Sequence, residues 1–433
     1  MKPTATSKKI SSSEPVTIHS PLSSAADLDP LIQLIGDSKY VLLGEASHGT
    51  HEYYIWRTAI SKRLIEEKGF SFIAVEGDWP DCYQVNRFVK SYPDAPVKVT
   101  DLLKKFNRWP TWMWSNWEIA ALAEWLKNHN LHLEDHHKAG FYGLDVYSLY
   151  ESLDNMLKYL STEDPEAAEY VKSAIHCFEP FHGDDHKHPG NISKICKEKV
   201  KALLLQIKSK LPGYDKDREA PLNTEQNAYV ALNAEKYYSD MLSFGSNSWN
   251  IRDMHMADTL ERLMKFHGKN AKAIIWEHNT HIGDARATDM KDDGLLNIGQ
   301  ILREKHQSDG VVLVGLGSYK GTVVAGPKWG APMKIMEVPE AREDSIEAML
   351  HNESATNRLI ISEKQKGVYR KSIPHRAIGV VYNPEREHWG NYVPSIMAER
   401  YDAFLFFDET KALHPIHTAP DKSETPETYP FGM

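Results

Sequence analysis

The feature that most constrains this chain is a set of short, continuously apolar runs, rich in β-branched residues, spaced by helix-length segments. They are KYVLLGE, FSFIAVEGD, AGFYGLD, AKAIIWEHN, GVVLVGLG, RAIGVVYN and YDAFLFFD. A strand with one wet face alternates apolar and polar side chains. Strands that are apolar throughout must be covered on both sides, as in a parallel sheet between helical layers. After the first run, EYYIWRTAISKRLIEEKG places Trp56, Ile60 and Leu64 four apart, with Gly69 positioned to stop the helix. Strand, helix and strand through residue 76 make a βαβ unit. The sequence predicts a three-layer α/β/α fold with a mainly parallel central sheet.

Between about 146 and 265 no convincing strand occurs. SLYESLDNMLKYL, KICKEKVKALLLQIKSKL, NAYVALNAEKYYSDML and RDMHMADTLERLMKF are helical in pattern, which predicts a helical insertion covering one end of the sheet. Residues 1–25 and 413–433 are polar and rich in Pro, Ser and Thr, as expected of tails. Residues 26–412 then form a single domain.

The net charge of −9 argues against nucleic acid or an anionic membrane as partner, since both require a concentrated positive field. No apolar run approaches the roughly 18 residues of a membrane span, and the N-terminus has no apolar signal core. Cys82, Cys177 and Cys196 show no CxxC pair, which predicts free thiols in a cytoplasmic protein. The expected partner is a small-molecule substrate, and the expected state a monomer or small homo-oligomer.

Titratable residues collect where the apolar runs end. VLLGEASHGTHE puts Glu45, His48, His51 and Glu52 within eight residues; FIAVEGD ends in Glu76 and Asp78, FYGLD in Asp145, IIWEHN in Glu277 and His278. In open α/β sheets ligands bind beyond the carboxyl ends of the strands, where loops from several strands converge. A single acid there is an ordinary helix cap or turn residue, but the same ending on four runs points to a site. EASH and HNTH each space their outer groups three apart, so that two side chains of one turn can converge. Arg57, on the following helix, leans back toward the EASH turn, with Thr50 and Tyr53 on the same face.

Other chemistries lack their motifs. There is no GxSxG elbow, no GxxxxGK[ST] loop and no HExxH pair. GLGSYKG imitates a dinucleotide loop but runs into GTVVAG, so a hairpin turn is expected there. HCFEPFHGDDHKH, with His176, His182, His186 and His188, is expected to be a solvated loop.

With these residues assembled, the chain resembles the erythromycin esterase family. LLGEASHGTHE, Arg57 nine residues beyond His48, VEGDW with Glu76, SWNIRDMHMADTL, WEHNTHIGDA, GTVVAGPKWGAPMKIMEVPEA and ERYDAFLFFDET carry the resemblance, from about residue 30 to 412. It implies an esterase, metal-independent or variably metal-sensitive, that opens a macrolide lactone in a cleft between the sheet and a helical cover. Members often bear the label succinoglycan biosynthesis protein. Carried over by position, His48 is the general base and Glu45 its neighbouring acid, with Arg57, Glu76, His278 and His281 completing the site.

A neutral imidazole suits general-base work near pH 7. The expected mechanism is therefore direct attack by a water that His48 deprotonates. Glu45 or Glu76 would hold the other ring nitrogen, and Arg57 with His278 or His281 would serve the oxyanion. Trp112, Trp114, Tyr237 and Trp249 are the candidate substrate-binding aromatics, from a wider set that includes Trp109, Trp117, Trp125, Tyr238 and Phe244. The alternative is a metal- or haem-binding protein, or a metal-assisted hydrolase, using His48, His278, His281 and Glu45 as ligands, with zinc the candidate metal.

Overall fold

A computed structural model of the chain describes residues 18–178, 194–210, 217–242, 247–361 and 367–417. Its strands are β1 (Ile18–Pro21), β2 (Tyr40–Leu43), β3 (Phe72–Asp78), β4 (Gly140–Asp145), β5 (Ala273–Trp276), β6 (Val311–Ala325), β7 (Lys334–Val338), β8 (Arg358–Ile361), β9 (Ser372–Arg376), β10 (Tyr392–Ile396) and β11 (Ala403–Thr410). The main sheet runs β1-β8-β11-β6-β2-β5-β3-β4, with β7 paired to the far end of β6. From β11 to β4 every pairing is parallel, whereas β1, β8 and β7 join antiparallel. β2, β3, β4 and β5 are buried at every position, which accounts for their unbroken apolar runs.

Helices cover both faces. His51–Lys68 and Trp117–Asn130 pack one face around Leu43, Val75 and Trp276, and Ser248–His267 and Ile298–Lys305 pack the other around Leu42, Ala74 and Ile275. The first helix ends at Gly69 in the left-handed conformation, φ 67°. Helices Leu149–Glu163, Pro165–Phe178, Lys194–Lys210 and Ala220–Leu242 form a unit with its own core around Tyr147, Leu153, Leu203 and Tyr237. Among the described residues no helix is long and apolar enough to cross a membrane.

Several local expectations change. RAIGVVYN is not a strand: it runs as an extended segment bridging Ser47 through Ile378 and Gly326 through Val381. GLGSYKGTVVAG contains no hairpin, because β6 continues through it and Gly321 instead lets the β11 backbone approach closely. Ile18–Pro21, expected in a tail, pairs with β8 at the sheet edge. Cys177 and Cys196 are joined as a disulfide rather than being separate thiols, since the ends of two packed helices bring them together, while Cys82 is buried and in no disulfide. His182, His186, His188 and Phe244 lie outside the described residues.

Candidate active site

Strand order makes neighbours of β2, β5, β3 and β4, so Glu45, Glu277, His278, Glu76 and Asp145 meet at one end of the sheet. The turns after β2 and β5 are tied together by Asn279 N–H donating to Glu45 O at 2.9 Å. Gly44 is required by that approach, because a Cβ there would strike the Asn279 amide. A Cβ on Gly49 would strike the backbone of Val324. Neither glycine has positive φ, so closeness rather than sharp bending explains both.

Glu45 Oε1 lies 3.0 Å from His48 Nδ1, and Glu45 Oε2 accepts from Arg57 Nη2 at 2.7 Å. The carboxylate therefore accepts a hydrogen bond from Nδ1–H of His48, leaving the lone pair on Nε2. That atom is buried without a hydrogen-bond partner among the described residues. The Arg57 guanidinium is flanked by the rings of Tyr54 and Trp276, 4.6 Å from each centroid, and its Nε and Nη1 are buried without a hydrogen-bond partner among the described residues. It orients Glu45.

His278 is arranged in the opposite sense. Its Nδ1 accepts from the Thr280 backbone N–H at 3.3 Å and lies 2.8 Å from Thr280 Oγ1. A backbone N–H can only donate, so Nδ1 is unprotonated. Burial, reinforced by the neighbouring His48, holds the imidazole pKa well below its usual value. The ring is neutral and its proton sits on Nε2, which is again buried and unpartnered among the described residues. The two rings lie 5.0 Å apart between centroids. One offers a base and the other a donor.

A second network backs this pair. Glu76 Oε2 accepts the His278 N–H at 2.9 Å, and its Oε1 takes Arg252 Nη2 at 2.5 Å. Burial alone would raise the Glu76 carboxyl, but Arg252, with His281 and His48, holds it far below the ordinary carboxylate range. Arg252 also forks onto Asp145 at 3.0 and 2.7 Å and donates from Nη1 to His281 Nε2 at 2.9 Å. An arginine cannot accept, so His281 presents Nδ1–H to Asp253, 3.0 Å from both carboxylate oxygens. Arg252 and Asp253 arrive on helix Ser248–His267. Neither was singled out from the sequence. Adjacent opposite charges in SWNIRDMHMADTL were the available signal, but their partners lie far away in the chain.

Glu277 is the outlier. It is wholly buried, neither carboxyl oxygen has a partner among the described residues, and burial with Glu76 and Asp253 nearby pushes its pKa well above normal. It is held as the neutral acid.

None of Glu45, His48, Arg57, Glu76, His278 and His281 is more than 1% exposed, so the centre is closed in this conformation. The candidate aromatics divide. Trp249 stacks on His281 at 4.5 Å, and Trp114 Nε1 donates to Glu76 O at 3.1 Å. Trp112 packs edge-on against Trp109, and Tyr237 against Tyr147 in the core of the helical unit. All four are buried. Trp117, on helical spacing with Ala121, is instead 56% exposed. Of the ligand set of the metal alternative, His281 has both ring nitrogens engaged, by Arg252 and Asp253. The described cluster of metal-ligating groups is a different one, His51, Glu118 and His414.

The chain belongs to the erythromycin esterase family, whose sequence profile matches residues 65–410. Family membership supports hydrolase activity of the esterase type. The match takes in Glu76, Arg252, Glu277, His278 and His281, and begins after the EASH turn. Erythromycin esterase type II of Escherichia coli is 24% identical over 375 residues, covering 80% of this chain and 86% of that protein. YbfO of Bacillus subtilis strain 168, named as a hydrolase, is 22% identical over 413 residues, covering 88% and 86%. Among solved structures, one titled as a succinoglycan biosynthesis protein superposes with TM-score 0.73 at 22% identity, over 92% of this chain and 95% of that one. An erythromycin esterase mutant in its open conformation gives 0.65 at 17% identity, over 91% and 98%.

Proposed function

We propose that the protein hydrolyses a carboxylic ester or macrolide-type lactone by direct attack of a water molecule. His48 Nε2 takes a proton from the water as its oxygen attacks the carbonyl carbon. Glu45 accepts the hydrogen bond from Nδ1 and stabilises the imidazolium. His278 Nε2–H donates to the oxyanion, a group that serves best when fixed in place before reaction. The imidazolium then passes its proton to the departing alkoxide as the carbon–oxygen bond breaks. The observation that carries this reading is the pair of buried histidines whose Nδ1 atoms face a carboxylate and a backbone N–H, and whose Nε2 atoms have no partner among the described residues.

A small-molecule substrate suits a centre enclosed on all sides, and entry requires the cover to move. A relative solved in a form named open supports such a motion. The name of the Escherichia coli relative makes a macrolide lactone the first substrate to try. The test is hydrolysis of an activated ester and of a macrocyclic lactone by the parent protein and by His48→Gln. Turnover of neither substrate by the parent, or equal turnover by both proteins, would remove the proposal.

A further inference from the structure

Away from the catalytic centre, three elements bring metal-ligating side chains to one point. His51 opens helix His51–Lys68, Glu118 lies in the first turn of helix Trp117–Asn130, and His414 follows β11. Both imidazole Nδ1 atoms sit 2.6 Å from the same oxygen, Glu118 Oε1, and one ligand atom from each residue lies within 4.8 Å of the other two. The Glu118 side chain is 4% exposed, whereas those of His51 and His414 are 27% and 62% exposed, which leaves an entry path and room for water. Burial acts to raise the Glu118 carboxyl, but the two histidines hold it below its ordinary value, so the group is a carboxylate.

The backbone holds these donors in place. His51 N–H donates to Lys411 O at 2.8 Å, Trp117 N–H to His414 O at 3.0 Å, and Ile416 N–H to Ser115 O at 2.9 Å. Lys411 N–H donates to Glu52 Oε2 at 2.8 Å.

We propose that His51, Glu118 and His414 form a binding site for a zinc-class divalent metal, with water in the fourth position, clamping the segment after β11 onto the two helix entries. Two imidazoles and one carboxylate are ligands that zinc and its neighbours accept and that magnesium and calcium do not favour. Zinc ligands lie about 2.0–2.2 Å from the ion. The hydrogen-bonded atoms must therefore part slightly, and each imidazole gives up its Nδ1 proton to solvent as the metal replaces it. The positive ends of two helices oppose a cation here; Glu52 and Glu118 in their first turns offset this. The site is independent of the catalytic proposal.

The full chain, stripped with a chelator, is titrated with zinc. Bound metal is measured by elemental analysis and the melt is followed in parallel. The parent should hold one equivalent at this site and gain Tm on loading. His414→Ala, which removes an exposed ring, and Glu118→Gln, which keeps the shape, should each weaken binding at least tenfold and lose the Tm gain. Failure of the parent to bind zinc stoichiometrically overturns the proposal. So does binding that persists undiminished in His414→Ala, since the metal then sits elsewhere, for example on the His176–His188 stretch.

Discussion

His48 and His278 stand with ring centroids 5.0 Å apart, and in each ring Nδ1 is engaged while Nε2 is buried and has no partner among the described residues. Their partners set opposite tautomers: a carboxylate draws the proton to Nδ1 of His48, and a backbone N–H drives it from Nδ1 of His278. Two identical side chains thereby acquire different chemistry.

The first consequence concerns His48. His48→Gln should lose about 10²–10⁴-fold in kcat, the usual range for a positioned general base. Its melt should stay near the parent's, because glutamine can still reach Glu45. Parallel kinetics and thermal melts check this; a fully active variant would return His48 to a structural role.

His278 should show the signature of an oxyanion donor. His278→Ala should lower kcat about 10²–10³-fold with little change in KM, and His278→Gln, which retains an N–H, should lose less. A variant that raises KM while leaving kcat intact would show that His278 holds substrate in the ground state instead.

Arg252 is the counter-charge for Glu76 and Asp145 together. Arg252→Met strands two buried carboxylates, and breaking such a network by removing one partner typically costs about 3–5 kcal/mol. Urea unfolding of parent and variant measures it. A loss below about 1 kcal/mol would mean that these carboxylates are neutral or otherwise compensated.

Glu277 should make stability fall as pH rises. Its folded pKa is raised, so its contribution is fully present below the unfolded value of about 4.3. Above that value the unfolded chain releases a proton that the folded chain keeps. The contribution then shrinks by up to about 1.4 kcal/mol per pH unit until the folded pKa is passed. Glu277→Gln, which mimics the neutral acid, should remove this slope and be the more stable protein at neutral pH. Denaturant midpoints across pH 4–8 decide it, and parallel curves for the two proteins would show that Glu277 has a partner when ionised.

Much of this architecture was open to inspection in the sequence. Apolar runs with no polar face demanded a sheet covered on both sides, and Trp56, Ile60, Leu64 and Gly69 marked the first helix and its end. The acids at the strand ends marked the place where they gather in the fold, since parallel strands deliver their carboxyl ends to one edge of the sheet. RAIGVVYN misled because an extended, buried segment needs the same residues as a strand whether or not it finds a ladder. The interior of β6 misled because its glycines serve close packing and imitate a turn.

What the sequence determined by itself is therefore local: which segments pack as strands and helices, and that titratable groups gather at one edge. Only the tertiary structure decided what each group can do. Glu45 rather than Glu76 holds His48, Arg57 is bonded to the Glu45 carboxylate, and Arg252 arrives from a distant helix to neutralise Glu76 and occupy His281. Periodicity and propensity report on neighbours three or four residues away. Tautomer, charge state and an unpartnered nitrogen depend on groups that only folding brings within hydrogen-bonding distance.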